Sequence, residues 1–303
     1  MSKQRILTLI ITLGLCFGLI MSGCATKKGP GPQSFKSSSL KKRIAVIPFQ
    51  NNTGFGNNEL GRRITNTIAQ QLNQSGKVIV VSQSKVDAYL KAQGIPQPLT
   101  QNTATLIGRG LKLNAIILGA ISAINLTDKR IGWRVFIPIF KKQEIVSASL
   151  VVRVVDVEDG TFLLTETGQG NTLHDSVADQ EWLNESKGTL DRTSVEKSLA
   201  MATESLTRSI LEALARAPWK GFIKSVSGST ATLCAGRDVG IKAGQRFVVY
   251  SIAEKITNTA GKTYVIPGSV KATLEVTRVL DGTSEAKIIS GQVLAGDAIH
   301  FTG

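Results

Sequence analysis

The residue with the most definite chemistry is Cys24. It follows Met21, Ser22 and Gly23, behind an apolar run over residues 6–21 and the basic pair Lys3 and Arg5. A basic start, a short apolar core and small residues ahead of a cysteine make an export signal with a lipoprotein cleavage site. Ser22 and Gly23 let a peptidase approach the backbone and cut between Gly23 and Cys24. The Cys24 thiol then takes a diacylglycerol, with palmitate among the expected acyl groups. The competing reading is an ordinary transmembrane anchor. The run ends at Met21, short of the roughly 20 residues that a spanning helix needs. Met21 stands where a lipobox more often carries Leu.

Other reactive types are sparse. His174 and His300 are the only histidines, which excludes a His-rich metal site. Neither lies in a Ser-His-Asp or Cys-His motif, and both read as surface or edge residues. Gly54, Phe55, Gly56 and Gly61 sit between a strand and a helix, where a dinucleotide loop would lie. The spacing is not GxGxxG and no Walker lysine follows, so a plain turn is expected. Asp175, Asp179, Glu181, Glu185 and Asp191 read as a solvated loop rather than paired catalytic carboxylates. The chain is therefore expected not to be an enzyme, with no catalytic, cofactor-binding or metal residues.

Three cysteines are present. Cys16 leaves with the signal and Cys24 is acylated, so Cys234 has no partner for an intramolecular disulfide. Stability must then rest on the core. Cys234, in a strand-like run, reads as a small buried hydrophobe. The formal charge is +14. Loss of Lys3 and Arg5 leaves about +12. Most of these charges read as scattered over solvated faces; for an exported chain the partners open to a basic balance are anionic lipid heads, lipopolysaccharide or cell-wall polymer, not nucleic acid.

The elements that position these residues fall into four stretches. Residues 1–23 are the signal and 24–41 a lipidated, flexible, basic tether, with Gly29-Pro30-Gly31-Pro32 and a serine run. Residues 42–218 alternate strand and helix. Apolar runs at 43–49, 77–81 and 114–121 read as buried strands. Helices are expected at about 58–73, with Leu60, Ile64, Ile68 and Leu72 on one face, after Ser82 as a cap, at about 102–111, and from Ser194 to Pro218. Residues 124–140 read as extended, Lys141 to Gln143 as a turn, 145–157 as a strand, 161–167 as its return, and 168–194 as polar and irregular. Residues 219–303 are short strands broken by glycine, a small β-barrel or sandwich. The fold class expected is α+β: a mixed sheet with packed helices and edge hairpins, then a small all-β C-terminal domain.

The lipobox, the run RIAVIPFQN at 43–51, the strand at 78–81, Ala115 to Ile121 and the strand and turn from Ser149 to Gly160 together resemble the curli-secretion (CsgG-like) lipoproteins over about residues 43–215. The resemblance implies an outer-membrane lipoprotein with an α/β periplasmic domain, assembled as a homo-oligomer. It implies two membrane hairpins, at about 122–144 and 169–193. Ile131, Trp133, Val135, Ile137 and Ile139 alternate as a first membrane strand would; 169–193 is acidic and alternates poorly. Residues 221–303 are an addition to the basic subunit and look like the C-terminal module of certain flagellar-ring proteins. Ala25, in place of an Asp after the lipidated cysteine, favours the outer membrane. The expected function is that of an anchored, oligomeric subunit in export or assembly of envelope structures. The alternative is a non-pore periplasmic scaffold of a flagellar-ring or cell-wall-synthesis machine. Partners would be the outer membrane, through the lipid, and an exported protein or a component of the envelope machine.

Overall fold

The computed structural model describes residues 40–95, 99–131, 141–177, 192–257 and 263–302. β1 (Lys42–Val46) lies between β3 (Val78–Val80) and β4 (Ala115–Ile131) and runs parallel to both. Its apolar run is buried on both faces. Ile44 and Val46 pack against Ile64, Ile68 and Leu72 of α1 (Asn58–Gln74). Ala45 and Ile47 face Val86 and Leu90 of α2 (Gln83–Ala92) and Ala104 and Ile107 of α3 (Gln101–Gly110). A strand covered this way has no polar face, which explains its unbroken hydrophobic sequence. The short β2 (Gln50–Asn51) pairs with β4.

β4, β5 (Lys141–Asp156) and β6 (Phe162–Val177) form an antiparallel meander, giving the sheet order β3-β1-β4-β5-β6. The long helix α4 (Arg192–Arg216) lies across β5 and β6, burying Val195, Leu199, Ala202, Leu206, Ile210 and Leu214. Gly170 allows this approach: a Cβ there would stand 1.9 Å from the Ser198 carbonyl oxygen.

Several expectations need correcting. Lys141 to Gln143 is not a turn but the first part of β5, paired with Arg130, Ile131 and Lys129 on β4. Residues 168–177 are not irregular but the second half of β6, since β5 supplies a full ladder of partners. Arg192 and Thr193, placed by the resemblance in a second hairpin, are helical. Ser82 precedes α2, but its hydroxyl meets Ser84 Oγ at 3.2 Å and caps no backbone N–H.

The C-terminal strands close into a barrel in the order β10-β11-β8-β7-β12-β9. They are β7 (Lys220–Ser227), β8 (Thr230–Leu233), β9 (Arg246–Thr257), β10 (Thr263–Val279), β11 (Ser284–Gly291) and β12 (Ala298–Phe301). Closure satisfies the edges that an open sheet of this size would expose. The turn into β9 uses Gly240 and Gly244 at φ 91° and 83°, a region that side chains disfavour. Phe247 fills the barrel centre, flanked by Trp219 and Phe301 at 5.6 Å between ring centroids.

The chain enters β1 past this barrel. Leu40 is 4% exposed and packs in the barrel core with Trp219 and Phe247. The Lys41 N–H donates to the Val239 carbonyl at 2.8 Å, and Trp219 Nε1 donates to the Lys41 carbonyl at 3.0 Å. The basic run Lys41-Lys42-Arg43 passes into the sheet: Lys42 and Arg43 are strand residues and Lys42 is buried. Among the described residues no helix is long and apolar enough to cross a membrane.

Candidate functional site

Two features stand out: the long arms of β4, β5 and β6, and the seam between sheet and barrel. The arms stay paired from Ala115 opposite Asp156 out to Ile131 opposite Lys141, with one register shift between Ile121 and Ala123, and β6 follows as far as Val177 opposite Lys141. α4 covers their inner part, where Ser198 Oγ donates to the Val146 carbonyl at 2.8 Å. Beyond Thr127 the paired rows are Asp128 with Glu144 and His174, Lys129 with Gln143 and Asp175, and Arg130 with Lys142 and Ser176. Of the predicted membrane strand, Ile131 ends β4. Trp133, Val135, Ile137 and Ile139 lie outside the described residues, as do Gly23, Cys24 and Ala25.

The seam is built from side chains distant in sequence. Lys220 opens β7, and its Nζ lies 3.0 Å from Asp156 Oδ2 and 2.8 Å from Glu158 Oε2. Asp156 ends β5 and is 4% exposed. His300 on β12 is 3.2 Å from Glu158 Oε1 through Nε2, and Tyr250 packs edge-on to its ring at 5.0 Å. His300 is thus buried, not the surface or edge residue expected, because barrel closure turns β12 toward the sheet. His174 lies on β6, so the two histidines are not brought together. Asn114 bridges the same seam, accepting from the Arg43 N–H at 2.8 Å and donating to the Lys220 carbonyl. The Arg43 guanidinium reaches the Cys234 carbonyl and the Asp238 carboxylate.

The electrostatics follow from burial against pairing. Burial pushes the Asp156 carboxyl up, against the pull of Lys220. Burial also acts to raise Glu158, but the His300 and Lys220 hydrogen bonds and charges outweigh it and leave the carboxyl at about 2. Burial works to lower Lys220, yet Asp156 and Glu158 hold its ammonium above the ordinary value. Lys42, buried nearby without an ion-pair partner among the described residues, is lowered by desolvation to about 8. Cys234 is half-buried, with its thiol raised by the same cause. Asp156, Glu158, Lys220 and His300 satisfy one another, so that cluster locks the sheet to the barrel. Beside it lies a cavity of about 490 Å³, walled by Phe222, Tyr250 and Ala298 and fringed by Arg109 and Lys112. Among the described residues no group of His, Cys, Asp and Glu is arranged to hold a metal.

Residues 32–231 match the family model described as curli production assembly/transport component CsgG. The chain belongs to the CsgG family. This CsgG-family chain is an envelope lipoprotein of mixed α+β architecture. The match ends in β8, so most of the barrel lies beyond it. No curated protein matches the chain. Solved structures similar to it include lipoprotein GNA1162 from Neisseria meningitidis, 14% identical over 56% of this chain and 99% of that one, with a TM-score of 0.34. The LpoB C-terminal domain from Escherichia coli is 17% identical over 44% and 85%, with a TM-score of 0.32. A PelC dodecamer from Paraburkholderia phytofirmans is 13% identical over 60% and 91%, with a TM-score of 0.26.

Sequence reasoning found the family but missed the seam. Asp156 and Lys220 are 64 positions apart and Glu158 and His300 are 142 apart. No local pattern links them. The one available signal was an acidic turn, Asp156 to Asp159, directly after a strand with no polar interior.

Proposed function

We propose that this CsgG-family chain is a lipid-anchored subunit on the periplasmic face of the outer membrane. It assembles with copies of itself through its sheet arms and scaffolds an envelope machine without forming a pore. Cys24 carries the lipid, and the tether ends where Leu40 enters the barrel.

The observation that carries the non-pore reading is the composition of the outer ladder rows. Asp128, Lys129 and Arg130 are consecutive on β4, opposite Glu144, Gln143 and Lys142. The end of β4 is thus a run of charged residues, not the alternation of apolar and polar residues that a lipid-facing strand carries. A lipid-facing strand position at the bilayer midplane costs about 2–4 kcal/mol for Arg or Lys. A membrane hairpin also needs about ten residues per strand.

Electron microscopy of detergent-extracted protein tests this. Assemblies without a barrel through the detergent belt are expected, and rings with one would overturn the non-pore reading. Cys24→Ser should release the protein from membranes; undiminished retention counts against the lipid as the anchor.

A further inference from the structure

The helix α3 ends at the cavity beside the seam, and its end is built with an unexpected residue. Gly110 closes the helix and Leu111 is its C-cap. The Leu113 N–H donates to the Gly108 carbonyl at 2.8 Å, and the Lys112 N–H to the Arg109 carbonyl at 3.3 Å. These two bonds make a Schellman turn, which needs a left-handed residue just past the cap, most often glycine. Here that residue is Lys112, at φ 57°, and among the described residues no other non-glycine residue adopts this region. A side chain kept at a strained backbone position points to a role for that side chain.

The Lys112 ammonium stands 5.4 Å from the centroid of the Phe222 ring, and both residues line the cavity of about 490 Å³. Lys112 makes no ion pair among the described residues. Arg109 lines the same cavity and donates from Nε and Nη2 to the Val157 and Glu158 carbonyls. Those acceptors are neutral, and its Nη1 makes no hydrogen bond among the described residues. The end of a helix carries about half a negative charge, less than the two full cations placed beside it. The other charges at the cavity are matched already. Glu158 is held by Lys220 and His300, and Lys271 pairs with Asp297 at 2.8 Å. Phe222, Val249, Ile252 and Ala298 supply apolar wall. The volume lies within the range of small-molecule sites.

We infer that this cavity binds a small anion with a compact apolar body, such as a ring-bearing carboxylate. The acidic group lies at Arg109 and Lys112, and the body rests on the apolar wall. Charge-assisted hydrogen bonds fix the acidic group, and removal of the body from water adds affinity. Neither the lipid anchor nor the sheet arms contribute to this site, so it stands apart from the function proposed above.

The test is isothermal titration calorimetry of full-length protein in dodecyl maltoside with naphthoate, against a protein-free detergent blank. Saturable binding at one site is expected. Affinity should be about tenfold weaker for the neutral naphthamide and for Lys112→Gly. Acetate, which lacks the apolar body, should bind far more weakly than naphthoate. Lys112→Gly relieves the backbone strain, so its unfolding midpoint should be unchanged or higher, which separates lost binding from lost folding. The amide comparison uses the natural chain and does not depend on any variant. No binding of naphthoate, equal affinity for naphthamide or acetate, or undiminished binding by Lys112→Gly would each overturn the proposal. Decanoate binding more tightly than naphthoate would overturn it in favour of the acyl chain of a lipid.

Discussion

Lys220, the first residue of β7, sets its ammonium 3.0 Å from the carboxylate of Asp156, the last residue of β5. One ion pair thus joins the end of the sheet to the start of the barrel, with side chains 12% and 6% exposed. A buried pair is a modest source of net stability, but removing one partner leaves an uncompensated charge. Lys220→Met is therefore expected to destabilise the fold by about 3–5 kcal/mol. Urea denaturation measures it, and Lys220→Arg should recover part of the loss.

Glu158 sets the acid limit of the seam. Its folded pKa of about 2 lies below the ordinary 4.5. A depressed carboxyl contributes stability above its unfolded pKa and loses it as pH falls through the folded value. The loss should run from about pH 4.5 down to pH 2 and total about 2–3 kcal/mol. Asp156, raised by burial, protonates more readily in the folded state and works in the opposite direction. Denaturation midpoints across this range should fall steeply in the natural chain and less steeply in Glu158→Gln.

Lys42 predicts a gain. Its folded pKa of about 8 is below the ordinary 10.5 because burial disfavours the charge. Between those values the unfolded chain binds the extra proton, so stability rises as pH goes from 8 to 10.5. Lys42→Met removes the buried charge and should stabilise the protein by about 1–3 kcal/mol at neutral pH. Its stability should also stay flat over the same alkaline range.

Leu40 fixes the start of β1 in the barrel core. Leu40→Ala should cost about 2–5 kcal/mol through the cavity it leaves beside Trp219 and Phe247. Limited proteolysis should cut the variant next to residue 40 faster than the natural chain.

Gly170 limits how closely α4 lies on β6. In Gly170→Ala the new methyl meets the Ser198 backbone, which cannot swing aside as a side chain can. A loss of about 1–3 kcal/mol is expected, seen as a lower thermal midpoint with unchanged helix content at room temperature.

Much of the architecture follows from local pattern. Residues 43–47 read as a buried strand because every one of Ile44 to Ile47 is apolar, and the helix over Asn58–Gln74 reads from one apolar face. Thr230–Leu233 and Ala298–Phe301 match the expected strands because glycines bracket the runs. Lys141 to Gln143 is a polar triplet and reads as a turn; long-range pairing with β4 makes it a strand.

By itself, the sequence determined the α+β class, the order of the elements and the CsgG resemblance, since hydrophobic period and turn residues act over a few positions. The expectation of a lipid at Cys24 likewise comes from a contiguous motif. Tertiary structure alone decided that the barrel closes, that Leu40 belongs to its core, and that Lys220 meets Asp156 and Glu158 while His300 is buried against Glu158. Each depends on chain segments far apart meeting in space. A buried charge reads in sequence like any surface lysine or glutamate until the fold supplies its partner and removes its water.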